Sequence, residues 1–403
     1  MLSLTAKSKI LGGTIPLPAS KSESNRALII QALNPAIELH NLASARDTQT
    51  MIKLLASEGQ VLDVIDAGTT MRFLTAYCAV AGRDQLLTGT PRMCNRPIGG
   101  LVDALRSLGA NIDYWKQEGF PPLHVVSGKG RMTGGKLNMP GNISSQFISA
   151  ILLIAPYLSG GLDLTLVEGI SSRPYLDMTM ALMRHFGATV DWSSDSSIRC
   201  EEGPYQASAY AIESDWSGAS YWYSLVALSD EAEITLKGLR ENSKQGDRAI
   251  VEIMEHFGVQ TTFTDEGAVL RKTKVSLPAS LTIDCLETPD LAQTLAVVAG
   301  ALGVHLTMTS LHTLRVKETD RITALENELS KFGLEITSSP DTITIGGTFR
   351  PVKASIHTYE DHRMAMAFAP LALKVPFLQL DDPEVVIKSY PEFWQHLSMI
   401  GIS

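Results

Sequence analysis

Along the chain, apolar residues recur at spacings of three and four in short stretches. Each stretch closes on a large apolar residue and a glycine, and a β-like run follows. The pattern reads as LVDALRSLGANIDYW, MTMALMRHFGATVDW, IVEIMEHFGVQTTF and ALENELSKFGLEIT, with weaker copies in MIKLLASEGQVLDV and FWQHLSMIGIS. Positions three and four apart share a helix face, so each stretch predicts an amphipathic helix with one buried side. Gly59, Gly109, Gly187, Gly258, Gly333 and Gly401 close the six copies. A helix that turns sharply into a strand ends on a left-handed residue, which glycine adopts without a side-chain clash. The Val, Ile and Thr that follow suit strands. Six copies predict six α/β units, three to a domain.

Length supports that division, since 403 residues exceed one ordinary core. A boundary near residues 211–217 leaves three units on each side. The chain is 44% hydrophobic and 19% charged, values of a globular protein. Its formal charge of −9 argues against a nucleic-acid or anionic-membrane partner, so any local cluster of Lys and Arg is informative. No stretch approaches the roughly 18 apolar residues of a membrane span, and MLSLTAKSKILGG does not read as a signal peptide. Cys78, Cys94, Cys200 and Cys285 are far apart and form no C-x-x-C pair. Reduced thiols in a cytoplasmic protein are expected, rather than a disulfide framework or a zinc site.

The basic residues cluster at predicted helix starts. LPASKSESNRALI brings together Lys21, Ser22, Ser24 and Arg26. Orphan N–H groups and the helix dipole attract anions there, although a capped helix with solvated charges fits this segment equally well when it is taken alone. DAGTTMRFL adds Gly68 and Arg72, TPRMCNRPIGG adds Arg92 and Arg96, GNISSQF adds Ser144, Ser145 and Gln146, and SSRPYLD adds Ser172, Arg173 and Tyr175. Five such segments in the first half of an acidic chain point to a pocket for a small, multiply anionic ligand.

In the second half, ETPDLAQT places Asp290 behind a proline turn, and LRVKETDRITAL packs Arg315, Lys317, Glu318, Asp320 and Arg321 into seven residues. Lys317 and Arg321 are four apart, which predicts one shared helix face near acids suited to proton transfer. YEDHRMAMAFAP carries Asp361, His362 and Arg363, and IKSYPEFW carries Lys388. His362 by itself reads as structural. GRMTGGKL nearly matches a phosphate-binding P-loop, but Leu137 stands where that loop needs Ser or Thr. No G-x-G-x-x-G follows a strand, and neither G-x-S-x-G nor H-E-x-x-H occurs. No segment holds a dense cluster of metal ligands, so catalysis by side chains, without metal or cofactor, is expected.

Taken in order, SKSESNRAL, AGTTMRFL, PRMCNRPI, SSQF, RVKETDRI and DHRMAM resemble the 5-enolpyruvylshikimate-3-phosphate synthase family of enolpyruvyl transferases, across nearly the whole chain. The resemblance implies an α/β (α+β) fold of two similar domains, each of three βαβαββ units in an inside-out α/β barrel. The domains would span residues 20–213 and residues 1–19 plus 214–403, with the active site in the cleft between them. It implies that Ser144, Ser145, Gln146, Ser172, Arg173 and Tyr175 hold shikimate 3-phosphate. Lys21, Ser22 and Arg26 would lie at its carboxylate and hydroxyls, and Lys317 and Asp290 would touch it as well. Lys21, Gly68, Arg96, Gln146, Arg321, Arg363 and Lys388 would hold phosphoenolpyruvate. Asp290 and Glu318 would be the acid/base pair, with Lys21 assisting, in a cytoplasmic monomer of the shikimate pathway.

The chain departs from that family at Asp66 and Thr313, where Asn is usual, and at Ser214, where Gly is usual. The stretch between Gly59 and Asp66 is also short, which predicts a missing strand or hairpin in the first unit. The sister enzymes that act on UDP-N-acetylglucosamine carry Lys-Asn at the first motif and a loop Cys five residues before R-P. Here the pair is Lys21-Ser22 and Cys94 lies two before Arg96. RNA 3′-phosphate cyclases, which share the unit, call for a nucleotide-linked His and a basic surface. A non-catalytic module that binds phosphorylated metabolites would leave Asp290 and Glu318 beside bound anions without a task.

Overall fold

A computed structural model describes residues 1–128 and 131–403, so Lys129 and Gly130, the latter opening GRMTGGKL, lie outside it. Thirteen α-helices lie among the described residues. The first seven are α1 (Lys21–Leu33), α2 (Arg46–Leu55), α3 (Gly68–Val80), α4 (Pro91–Cys94), α5 (Gly99–Ser107), α6 (Ser145–Ile154) and α7 (Arg173–His185). They are followed by α8 (Trp216–Leu228), α9 (Ile250–Glu255), α10 (Ala292–Leu302), α11 (Arg321–Ser330), α12 (His362–Phe368) and α13 (Phe393–Met399). The chain divides into two compact units, one of residues 1–18 and 213–403 and the other of residues 19–212. Each unit has its own large hydrophobic core.

In the unit of residues 19–212, α1, α3 and α6 pack on one another, and in the other unit α8, α10 and α12 do the same. These helices are buried nearly all round: α8 buries every residue but Ser217, and α12 buries all of its residues. One buried face per helix, expected for the six repeated stretches, holds for α2, α5, α7, α9, α11 and α13, whereas the two inner triplets, outside those stretches, are buried on nearly every side. The physical reason is position. The inner helices have helices on some sides and sheet on others, whereas the outer ones meet water.

Four of the sheets repeat one plan. Strands Thr133–Pro140 and Ser159–Val167 run parallel around α6, with Leu137 opposite Leu164, and the antiparallel strands Ser197–Cys200 and Val190–Ser194 complete the sheet after α7. The same βαβαββ order builds sheets from residues 61–126 and 280–347. In the fourth such sheet the first strand, Ile10–Ile15, pairs in parallel with Glu231–Lys237, placing Ile15 opposite Leu236. The helix that connects those strands, α8, begins only after the chain has traversed the other unit.

The remaining two sheets are reduced. Among the described residues the first unit of residues 19–212 has two strands, Glu38–His40 beside Ala209–Ala211, and after α2 the chain enters the next sheet at Val61. Among the described residues no hairpin closes this unit, as the short stretch after Gly59 predicts. The last unit has three strands, Ala354–Ile356, Leu378–Leu380 and Leu2–Leu4. Five of the repeat glycines, Gly109, Gly187, Gly258, Gly333 and Gly401, have φ between 74° and 94°. Gly59 is not among the positive-φ residues and lies in the turn before the strand Val61–Asp63.

Glu213 pins the point of return. Buried, it accepts hydrogen bonds from Trp216 Nε1 (2.9 Å), the Arg240 N–H (2.9 Å), Ser243 Oγ (2.6 Å) and Gln245 Nε2 (3.2 Å). A buried carboxylate so surrounded is satisfied, and it fixes the segment ahead of α8.

Candidate active site

Because the helices within each unit follow parallel strands, their N-termini gather at one end. In the unit of residues 1–18 and 213–403, that end holds a cluster centred on Arg321, the first residue of α11. Its guanidinium is 1% exposed and spans three carboxylates: Nε donates to Asp361 Oδ2 at 2.7 Å, Nη1 to Asp290 Oδ1 at 3.2 Å and Nη2 to Glu318 Oε2 at 3.1 Å. Asp361 also caps α12 by accepting from the Arg363 N–H at 2.9 Å. The Arg363 guanidinium returns to Asp290 Oδ2 at 2.8 Å. Lys317 Nζ stands 3.9 Å from Asp290 Oδ1, and the buried Lys388 Nζ stands 4.0 Å from Glu318 Oε1. Asp290 and Glu318 are thus held among four cations, each carboxylate retaining some exposure.

Electrostatics follow from that packing. Burial alone would raise the Asp290 carboxyl, but Arg363, Lys317 and Arg321 together hold it well below the usual carboxylate range. Burial lowers the Lys317 ammonium, with Asp290 opposing and Arg321 adding to the effect. Asp247 goes the other way. It is 2% exposed, accepts from Ser217 Oγ, and is pushed up to about 7 by burial and then by the negative charge of Asp290. Ser217 links it to the cluster, since Arg363 Nη2 donates to Ser217 Oγ at 3.4 Å.

In the unit of residues 19–212, Lys21 opens α1 and donates to Asp47 Oδ2 at 3.2 Å. Gln146, in the first turn of α6, donates to Thr69 Oγ1 of α3 at 3.1 Å. Gly68 begins α3, and a Cβ there would lie 2.7 Å from Arg96 Nη1 and 3.0 Å from Arg72 Nη1. Only glycine lets both guanidinium groups approach the helix start so closely. Arg26 is buried, with Nε on Thr179 Oγ1 (2.7 Å), Nη1 on the Ser22 carbonyl (2.8 Å) and Nη2 on Ser149 Oγ (3.1 Å). Its guanidinium lies over Phe73 and Tyr175, and burial brings its pKa down to about 10. Ser144 stands at the N-cap position of α6 and Ser145 opens the helix, while Ser172 precedes α7 in the left-handed conformation (φ 56°). Arg173, the first residue of α7, lies over Trp192 at 4.0 Å and donates to the Asp195 carbonyl at 3.2 Å.

One sequence expectation is corrected. Lys317 and Arg321 do not share a helix face: Lys317 follows the 3₁₀ helix His312–Val316, and α11 begins at Arg321, capped by Asp320. The two side chains meet through Asp290 instead. Sequence reasoning also missed Asp247, Ser217 and Asp47. Ser217 and Asp47 are the second residues of α8 and α2, and Asp247 lies just ahead of α9, so the polar helix starts that flagged Asp290 and Arg363 were the signal available for them. Among the described residues no helix is long and apolar enough to cross a membrane, and no group of three or more His, Cys, Asp or Glu could hold a metal ion.

Comparison with known proteins agrees along the whole chain. Residues 53–397 match the family model described as EPSP synthase (3-phosphoshikimate 1-carboxyvinyltransferase). The 3-phosphoshikimate 1-carboxyvinyltransferase of Bacteroides fragilis is 47% identical, over 99% of this chain and 97% of its own. That of Photorhabdus laumondii is 35% identical, over 97% and 96%. Among solved structures, EPSP synthase from Acinetobacter baumannii superposes with a TM-score of 0.80 at 21% identity, covering 100% of this chain and 99% of its own. The enolpyruvyl transferase NikO from Streptomyces tendae superposes with a TM-score of 0.76 at 12% identity, covering 100% and 98%. Repeated βαβαββ units with cation-held carboxylates at the helix starts put the chain in the fold class of the enolpyruvyl transferases. Within that class it belongs to the EPSP synthase (3-phosphoshikimate 1-carboxyvinyltransferase) family.

Proposed function

We propose that the chain transfers the enolpyruvyl group of phosphoenolpyruvate to the 5-hydroxyl of shikimate 3-phosphate, releasing phosphate. The observation that carries this reading is the cluster around Asp290, in a chain of this family: two carboxylates suited to proton transfer, set among Lys317, Arg321, Arg363 and Lys388. Two phosphates and two carboxylates must be held together, and fixed cations offset their mutual repulsion. On this reading Lys21, Gly68, Arg96, Gln146, Arg321, Arg363 and Lys388 hold phosphoenolpyruvate. Lys21, Ser22, Arg26, Ser144, Ser145, Gln146, Ser172, Arg173, Tyr175, Asp290 and Lys317 hold shikimate 3-phosphate.

Glu318 gives a proton to the phosphoenolpyruvate methylene carbon, which leaves C2 electron-poor. The 5-hydroxyl oxygen bonds to C2 while its proton passes to Asp290, with Lys21 or Lys388 assisting. The tetrahedral adduct then returns a methyl proton to the ionised Glu318, the C2–O bond to phosphate breaks as the phosphate carries off the proton held by Asp290, and the new double bond forms. In the free protein three cations depress Asp290 and make it a weak base. Substrate anions that occupy Arg321 and Arg363 screen those cations and restore its proton affinity, so the base is activated by binding. Side chains alone supply this chemistry, in a monomer of the cytoplasm. The four cysteines, all free thiols, fit such a compartment.

The test measures phosphate release from phosphoenolpyruvate in the presence of EDTA, with shikimate 3-phosphate or UDP-N-acetylglucosamine as acceptor. Release that depends on shikimate 3-phosphate is the expected result. Release with the nucleotide sugar alone moves the chain to the sister activity, and folded protein silent with both acceptors refutes the assignment.

A further inference from the structure

Asp66 puts a carboxylate two residues ahead of Gly68, beside the helix start where Arg96 and Arg72 converge. A lone negative charge there would oppose any anionic ligand. Arg46, the first residue of α2, meets it: Nη2 donates to both Asp66 oxygens, at 2.7 and 2.8 Å. The next residue, Asp47, accepts from Lys21 Nζ at 3.2 Å, and its carbonyl accepts from Thr70 Oγ1 of α3 at 3.2 Å. The first turn of α2 therefore bonds to the starts of both α1 and α3. About a third of each partner in the Arg46–Asp66 pair is exposed, so its charge balance is felt through partly solvated surroundings.

Resting on the phosphoenolpyruvate reading above, we propose that Arg46 is a charge-compensating residue for the anion site at Gly68. It cancels Asp66, so that Arg96 and Lys21 present net positive charge to the substrate. A pair exposed to this extent contributes modestly, which sets the size of the effect. Arg46→Gln leaves Asp66 opposing the ligand and raises KM for phosphoenolpyruvate roughly 1.5- to 5-fold. Asp66→Asn leaves Arg46 as an added cation and lowers KM by a similar factor. The double variant returns close to the parent value, and kcat moves less than KM throughout.

The experiment compares the parent and these three variants at low ionic strength. It follows phosphoenolpyruvate kinetics alongside calorimetric titration of the free protein with inorganic phosphate. KM and the phosphate dissociation constant moving in opposite directions in the two single variants supports compensation. A pair that only braces the loop moves both single variants the same way; that outcome, or no movement in either, overturns the proposal. Single variants that show this pattern with phosphate, although the parent does not turn over phosphoenolpyruvate, keep compensation and remove the reaction. Turnover without the pattern removes compensation alone, and neither turnover nor phosphate binding removes both.

Discussion

Replacing Asp247 by Asn isolates the cost of a buried acid. In the folded protein Asp247 is 2% exposed, faces Asp290, Asp215, Arg363 and the hydroxyl of Ser217, and holds its proton up to about pH 7. In the unfolded chain an Asp releases it near pH 3.9. Below that pH both states are protonated and the group contributes nothing. Between about 3.9 and 7 the folded state alone keeps the proton, so rising pH favours unfolding by about 1.4 kcal/mol per pH unit. Above about 7 the penalty is constant, roughly 4 kcal/mol from that interval. Asn cannot ionise and still offers Ser217 an acceptor. Urea unfolding of ligand-free parent and variant between pH 4 and 8.5 checks this. The stability of the variant relative to the parent is expected to climb across the window and level above pH 7. An offset at pH 4 from altered local bonding leaves the climb intact. A difference that is flat with pH, or that falls, refutes the account of Asp247 as a proton-holding acid.

Removing Arg321 leaves Asp361, fully buried, and the neighbouring Asp290 and Glu318 without their shared cation. Arg321→Met is expected to cost about 3–5 kcal/mol, a fall in Tm of roughly 6–20 °C by calorimetry, and Lys should not restore it because one ammonium cannot span three carboxylates. Gly68→Ala brings a methyl to 2.7 Å from Arg96 Nη1, so that guanidinium must shift; KM for phosphoenolpyruvate is expected to rise on the order of tenfold with little change in Tm, since the displaced group is a side-chain end. Asp290→Asn keeps the shape of the site and removes the base, so kcat should fall about 10²- to 10⁴-fold in protein whose circular dichroism is unchanged. Near-normal turnover in that variant would sink the assignment of Asp290.

Local features of the chain were legible in its sequence because they depend on neighbours within a turn or two. The helix–Gly–strand endings at Gly109, Gly187, Gly258, Gly333 and Gly401 need left-handed residues, and the left-handed φ is there at all five. The missing hairpin after Gly59 showed as missing length, and the clustering of polar residues at helix starts followed from anion-attracting N–H groups. The family's motifs, from SKSESNRAL to DHRMAM, could be read in order for the same reason. What lay beyond the sequence was set by residues far apart along it. Strand Ile10–Ile15 pairs with Glu231–Lys237 across the whole of the other unit, and nothing within either segment names its partner. The inner helices are buried all round because other helices cover them, a fact of packing that periodicity cannot express. Asp361 and Asp290 reach Arg321 from 40 and 31 residues away, and Asp66 finds Arg46 from 20. In sequence Asp247 is only an acid in KQGDRA shortly ahead of the helix that begins at Ile250. Only folding, by withdrawing it from water beside a second carboxylate, turns it into a group that keeps its proton to about pH 7.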